Sequence, residues 1–161
     1  MPLYRLLYRS EFAFKQADGP IDQQIDAIVT AAVQGNQRNN LSGALIASNG
    51  VFIQVLEGPL ATLEVTFEKI CSDLRHSRVR LVEFAAAEDR VFPEWKMVRV
   101  EQEEQVLNLC VGLRIENSGR LDVSKTGAIV TLMRSVLLRK TTAADDFSIR
   151  SLHNAVKCAS A

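Results

Sequence analysis

Two short apolar runs joined by Asn49-Gly50 constrain this chain more than any other feature. "LSGALIAS" (41–48) and "VFIQVLE" (51–57) both read as strands, and Asn-Gly between such runs is the strongest two-residue hairpin signal. With period two, Phe52, Gln54 and Leu56 share one face of the second strand, while Val51, Ile53 and Val55 share the other. Both faces are apolar, so this strand belongs at the centre of a sheet covered on both sides. Gln54 interrupts the pattern. A buried amide left unpaired costs about 1–3 kcal/mol, so this one needs a partner.

The flanking segments supply the rest of the sheet. Leu3 to Arg9 reads as a first strand with Tyr4, Leu6 and Tyr8 on one face. "DGP" at 18–20 puts Pro20 at a first helical position. Apolar positions 21, 25, 28, 29 and 32 carry that helix to about Gln34, where Gly35 is expected to end it. After Gly58-Pro59, the residues Leu63, Phe67, Ile70, Cys71 and Leu74 mark a second amphipathic helix, stopping near Arg75-His76. Residues 79–87 read as a fourth strand and 96–101 as a short fifth one after Pro93. The order β-α-β-β-α-β-β predicts an α+β, ferredoxin-like antiparallel sheet with both helices on one face.

Such a sheet leaves its second face bare, and the C-terminal third holds the cover. Ile129, Leu132, Met133, Val136 and Leu137 form a helical stripe between Gly127 and Lys140. Phe147, Ile149, Leu152 and Val156 mark another helix, and 111–124 reads as a connector. These late helices are expected on the bare face, completing one three-layer domain.

Composition removes several classes of function. Nineteen basic residues balance nineteen acidic ones, so no global field draws the chain to nucleic acid or to an anionic membrane. Arg5 and Arg9 break the first apolar run, so nothing there resembles a signal peptide and none is expected. No apolar run approaches the roughly eighteen residues of a membrane span. Cys71, Cys110 and Cys158 are scattered and fit reduced thiols in a cytoplasm. With two histidines and no HExxH, P-loop, GxGxxG or GxSxG, neither a metal site nor an ordinary enzyme is indicated.

Polar residues at apolar positions remain. Tyr8 lies on the apolar face of strand one, Gln54 on a central strand, and Asn36 just beyond the expected helix end. Lys69, Arg75 and His76 sit on or after the second helix, where cations suit the helix dipole without any function. Each has an ordinary structural explanation by itself. In this fold, however, Tyr8 and Gln54 belong on the helix-facing side of neighbouring strands. A groove between the helices is then lined by Ile28, Val29, Ala32, Val33 and Phe67, with Asn36 at one rim and Lys69 or Arg75 at the other. An apolar slot with converging amides and a cation is what a planar heteroaromatic ligand needs.

The chain resembles the BLUF domain, a blue-light sensor that binds flavin between the two helices of a ferredoxin-like sheet. The resemblance covers about residues 1 to 105 and is carried by "YRS" (8–10), Asn36 before "LSGAL", "NGVFIQVLEG" (49–58), "RHS" (75–77) and "FPEWKM" (92–97). Where some members carry a polar side chain before the asparagine, this chain has Gly35. The resemblance implies FAD as the non-covalent cofactor. It implies that Gln54 reaches flavin N5 and O4 and the Tyr8 hydroxyl, that Asn36 pairs with the O4/N3 edge, and that Arg75, His76 and Lys69 lie near the O2 side or ribityl chain. Light would then drive electron and proton transfer from Tyr8 to the flavin. The Gln54 amide would rearrange, by rotation or tautomerisation, leaving a stronger bond to O4 and a small red shift. Trp95 and Met97 match the strand-five pair that relays the change.

The remaining residues, 106–161, are too few for an ordinary catalytic domain and are expected to carry the signal to a separate effector and to help form a homo-oligomer. A cyclic-dinucleotide enzyme or a transcription regulator would be typical of the family. Two other readings stand beside this one. An acylphosphatase-like hydrolase would use Arg9 and Asn36, although "SEFAFKQ" replaces the glycine-rich loop it needs. A structural domain with a degenerate pocket would bind no flavin.

Overall fold

The computed structural model describes residues 1–92, 126–136 and 138. The elements are β1 (Leu3–Phe12), a 3-10 turn (Gln16–Asp18), α1 (Ile21–Arg38), β2 (Ser42–Ser48), β3 (Val51–Gly58), α2 (Leu60–Ser72) and β4 (His76–Ala87). A further helix, α3, runs over 126–136. The strands lie in the order β2-β3-β1-β4 with every neighbouring pair antiparallel. This is the expected α+β, ferredoxin-like arrangement.

Every residue of β2 and β3 is buried, as the two apolar faces of the hairpin require. One face of the sheet presents Leu7, Ala44, Ile46, Val51, Ile53 and Val55, which pack with Phe92 and with Ile129, Val130, Met133 and Val136 of α3. The second face is therefore covered from the C-terminal third, and Val130 joins the expected stripe. The opposite face carries two separate cores. Leu6, Tyr8 and Leu56 pack under Leu63 of α2, while Leu45, Ala47 and Phe52 pack under Ile25 and Ile28 of α1. At the hairpin, Asn49 (φ 49°) and Gly50 (φ 77°) adopt the left-handed conformations of a type I′ turn.

Several boundaries differ from the sequence reading. Pro20 is the residue before α1 rather than its first member, a shift of one position. Gly35 does not end α1, which continues through Asn36 to Arg38. The stop comes from Asn40, the left-handed residue of a Schellman motif: Leu41 N–H bonds the Asn36 carbonyl at 2.9 Å and Asn40 N–H bonds that of Gln37 at 3.3 Å. A helical glycine costs about 1 kcal/mol against alanine but does not break the hydrogen-bond ladder. Asn36 is thus a residue of the last helical turns and not a loop amide.

Similarly, α2 stops at Ser72, and β4 begins at His76 instead of 79. His76 is therefore a strand residue and not a helix end. The start of β4 is masked in the sequence because the strand is irregular. Its register against β1 shifts between Leu7 and Tyr8 and again between Arg9 and Glu11, and Arg78 has φ 47°. Such bulges destroy the period-two signal. The expected fifth strand at 96–101, the connector at 111–124 and the helix around 147–156 lie outside the described residues, as does the side chain of Leu137. Among the described residues no helix is long and apolar enough to cross a membrane.

Candidate functional site

Strand register brings the two polar core residues together. Tyr8 of β1 stands directly opposite Gln54 of β3, and Gln54 stands opposite Leu45 of β2. The Tyr8 hydroxyl donates a hydrogen bond to Gln54 Oε1 within the buried interior. The amide nitrogen of Gln54 has no hydrogen-bond partner among the described residues. It does not end in packed apolar atoms, however, because the residue borders a cavity of about 250 Å³ between α1 and α2.

Each wall of that cavity follows from its helix. Ile28, Ala31, Ala32 and Asn36 of α1 fall on one side at helical spacing, and the two alanines keep the slot open. Asn36 is buried, yet its side-chain amide has no hydrogen-bond partner among the described residues. Thr66, Lys69 and Ile70 of α2 form the other side. Phe67 turns away from the opening and leans on Tyr8, with ring centroids 5.7 Å apart. At the mouth stand Asp73 and Arg75, from the turn after α2, and His76, the first residue of β4.

The charges at the mouth are largely paired. Arg75 Nη2 meets Asp73 Oδ2 at 2.6 Å, and its Nε reaches both carboxylate oxygens at 2.9 and 3.1 Å. The Arg75 side-chain bonds hold the Asp73 carboxyl below the ordinary carboxylate range, and the same carboxylate raises the guanidinium. His76 shares a 2.8 Å hydrogen bond with Ser10 Oγ and stacks at 4.7 Å from the Phe52 ring. Burial pushes its imidazole down from the usual value, towards the neutral form. Burial also raises the Tyr8 phenol, with the charge of Asp73 adding to the effect, so the hydroxyl stays protonated. Lys69 is exposed at the rim, and no carboxylate lies within salt-bridge distance of it among the described residues.

Most of the expected site residues converge. Tyr8, Ile28, Ala32, Asn36, Gln54, Lys69, Arg75 and His76 all border the one cavity. Val29 does not: it packs against the core of Ile25, Ile28, Leu45, Ala47 and Phe52. Val33 and Phe67 are also absent from the lining. Trp95 and Met97 lie outside the described residues. Sequence reasoning missed Asp73, which holds Arg75, and Ser10, which holds His76. Ser10 is two residues beyond Tyr8 on a strand, a same-face relation that period two makes visible; Asp73 acts through a turn and gave no such signal.

A narrow slot with apolar walls and two amides open to it suits a flat ring bearing carbonyl and N–H groups along an edge. At about 250 Å³ it is near the lower end of small-molecule sites, enough for a ring system but not for a whole dinucleotide. The donor set therefore fits the isoalloxazine end of a flavin. A protonated phenol bonded to an amide oxygen adds a group that can release an electron and a proton together.

Comparison with known proteins agrees. The family model BLUF, described as sensors of blue-light using FAD, matches residues 3–98. Photoactivated adenylate cyclase subunit beta of Euglena gracilis is 33% identical over 90 residues, covering 55% of this chain and 10% of the relative. The chain thus matches about a tenth of that cyclase subunit's length. Among solved structures, the photo-activated state of BlsA aligns with a TM-score of 0.68 at 24% identity, covering 82% of this chain and 94% of that one, a likeness of fold. The dark state of BlrB, a BLUF protein, aligns at 0.60 with 25% identity, covering 89% and 97%. Since the family model spans more than half of the sequence, this chain belongs to the BLUF family of blue-light sensors.

Proposed function

We propose that the protein is a blue-light photoreceptor that holds FAD non-covalently between α1 and α2 and signals to a separate effector protein. The observation that carries this reading is the half-satisfied amide of Gln54: its oxygen is bonded to Tyr8, while its nitrogen borders the slot with no protein partner among the described residues. Gln54 and Asn36 would hold the ring edge, Ile28, Ala31, Ala32 and Ile70 its faces, and Lys69, Arg75 and His76 the side towards the mouth.

A bound flavin supplies blue-light absorption and, when excited, an oxidant. Tyr8 is the residue placed to respond. Its buried hydroxyl keeps its proton at rest, and its hydrogen-bond acceptor among the described residues is Gln54 Oε1. Loss of an electron makes a phenol strongly acidic, so the proton moves along that bond. The Gln54 amide, relieved of its resting bond, rearranges by rotation or tautomerisation and presents a changed donor pattern to the slot. The change leaves through the strand expected to carry Trp95 and Met97, and residues 106–161 form the output and oligomer contact. The effector would be a cyclic-dinucleotide enzyme or a transcription regulator, and the chain itself would not be an enzyme.

The hydrolase alternative has lost its site. Arg9 pairs with Ile53 on the α3-covered face and is engaged by Glu11 at 2.9 Å, whereas Asn36 faces the cavity on the other side of the sheet. The test is the visible absorption spectrum of the purified protein before, during and after blue light. A flavin spectrum that moves slightly red and relaxes in darkness is expected. A colourless protein after reconstitution with FAD, or a flavin spectrum that does not move, overturns the proposal.

A further inference from the structure

Outside the cavity, a buried carboxylate gathers several hydrogen bonds. Glu57, fully buried at the end of β3, accepts from Arg5 Nε at 2.7 Å, from Val91 N–H at 3.1 Å and from Phe92 N–H at 2.9 Å. Its neighbour in this knot is Arg90. One guanidinium nitrogen, Nη1, reaches Ser42 Oγ at 2.6 Å and the Glu57 carbonyl at 2.8 Å, while Nη2 reaches the Asn40 carbonyl at 2.9 Å. Three consecutive residues after β4 are thus bolted to β3 and to the corner between α1 and β2.

The knot touches both amide-bearing walls of the cavity. Gln54 lies three residues from Glu57 on the same buried strand. Asn36 receives the N–H of Leu41 on its carbonyl, and Asn40, whose carbonyl Arg90 holds, is the residue that stops α1. The corner is close-packed: a Cβ at Gly58 would displace the end of the Leu41 side chain and lie 3.2 Å from the Asn40 carbonyl oxygen. On its other side the knot ends in Phe92, whose ring is buried in the core shared with Ile129, Val130, Met133 and Val136 of α3.

We propose that Glu57 and Arg90 are positioning residues that join the Gln54 and Asn36 walls of the cavity to α3 through Phe92, an output connection made by residues other than Trp95 and Met97. A shift of β3 or of the α1 corner moves the backbone N–H groups that Glu57 holds, and the Phe92 ring carries the movement into the α3 contact. The proposal rests on the photoreceptor reading, because it needs a light-driven change at Gln54. Coupling of this kind is shown only by a difference between two states that the connecting residues control.

The experiment compares wild type, Arg90→Lys and Phe92→Leu, each as the full chain reconstituted with FAD. Two readouts are taken together: the light-induced red shift, and the light-minus-dark difference in amide hydrogen exchange of peptides over 126–136. Arg90 is outside the cavity lining, and a lysine keeps its charge but cannot span three separate acceptors. Wild type is expected to show both signals, while Arg90→Lys keeps the red shift and loses the exchange difference. A wild type with a red shift but no exchange difference in α3 overturns this inference alone; absence of the red shift in wild type overturns the photoreceptor reading and this inference with it. An Arg90→Lys protein that keeps both signals, or loses both, also overturns the inference. If Arg90→Lys does not fold, Phe92→Leu decides by the same criteria, since it keeps the N–H on Glu57 and removes only the ring contact.

Discussion

The Tyr8–Gln54 pair makes a quantitative prediction that needs no cofactor. Tyr8 is 1% exposed and Gln54 3%, and the phenol hydroxyl has the amide oxygen as its acceptor. Gln54→Leu keeps a side chain of similar size but leaves that hydroxyl buried without an acceptor, which costs about 1–3 kcal/mol. Tyr8→Phe leaves the amide oxygen in the same position and costs a similar amount, lessened where the cavity admits water to it. Removing both partners replaces the bond with apolar contact and is expected to be close to neutral. The double variant should therefore be more stable than the sum of the singles predicts, by about 2 kcal/mol or more of coupling. In urea unfolding of the flavin-free protein followed by far-UV circular dichroism, a slope of about 1–3 kcal/mol per molar turns each single loss into a midpoint drop of about 1 M. A Gln54→Leu midpoint at or above wild type, with the double variant no closer to wild type than the singles, would refute the bond as the partnership that makes Gln54 tolerable. That result would restore the reading of a degenerate structural pocket.

Two further outcomes are expected. Burial holds the His76 imidazole below its ordinary 6.5, so the unfolded chain takes up the proton first as pH falls; the stability owed to neutral His76 is complete above about pH 6.5 and declines below it. Urea midpoints at about pH 7.5 and pH 5.5 should then differ more for flavin-free wild type than for His76→Gln, and equal differences would contradict this. Met133 of α3 is fully buried against the sheet, so Met133→Ala should destabilise by about 2–5 kcal/mol in the same unfolding assay. A neutral result would mean that α3 does not cover that face in solution.

The fold was legible wherever one local signal dominated. The β2–β3 hairpin was readable because Asn-Gly fixes the turn and the side-chain period fixes both faces, and the structure keeps the residues 51, 53 and 55 apart from 52, 54 and 56. The need for a cover on the second face followed from the same period, before any contact with α3 was known. Boundaries set by non-local or irregular geometry were not legible. Gly35 reads as a stop because glycine often follows a helix, but Asn40 supplies the left-handed residue and the Schellman bonds that end α1. The first turns of β4 were hidden because two register shifts scramble its alternation.

The candidate site divides in the same way. By itself, the sequence determined that Tyr8 and Gln54 lie on one face of adjacent strands and that two amphipathic helices stand above them, because side-chain direction in a strand or helix is a matter of counting residues. Only the tertiary structure decided which groups satisfy one another. It set Tyr8 opposite Gln54 in the β1–β3 ladder, put Asp73 against Arg75, gave His76 to Ser10, and turned Val29 and Phe67 out of the slot. It also bound Glu57 and Arg90 to groups more than thirty residues away. Such pairings depend on strand register, helix rotation and the conformation of single turns, and these are settled by packing of the whole chain rather than by any segment read alone.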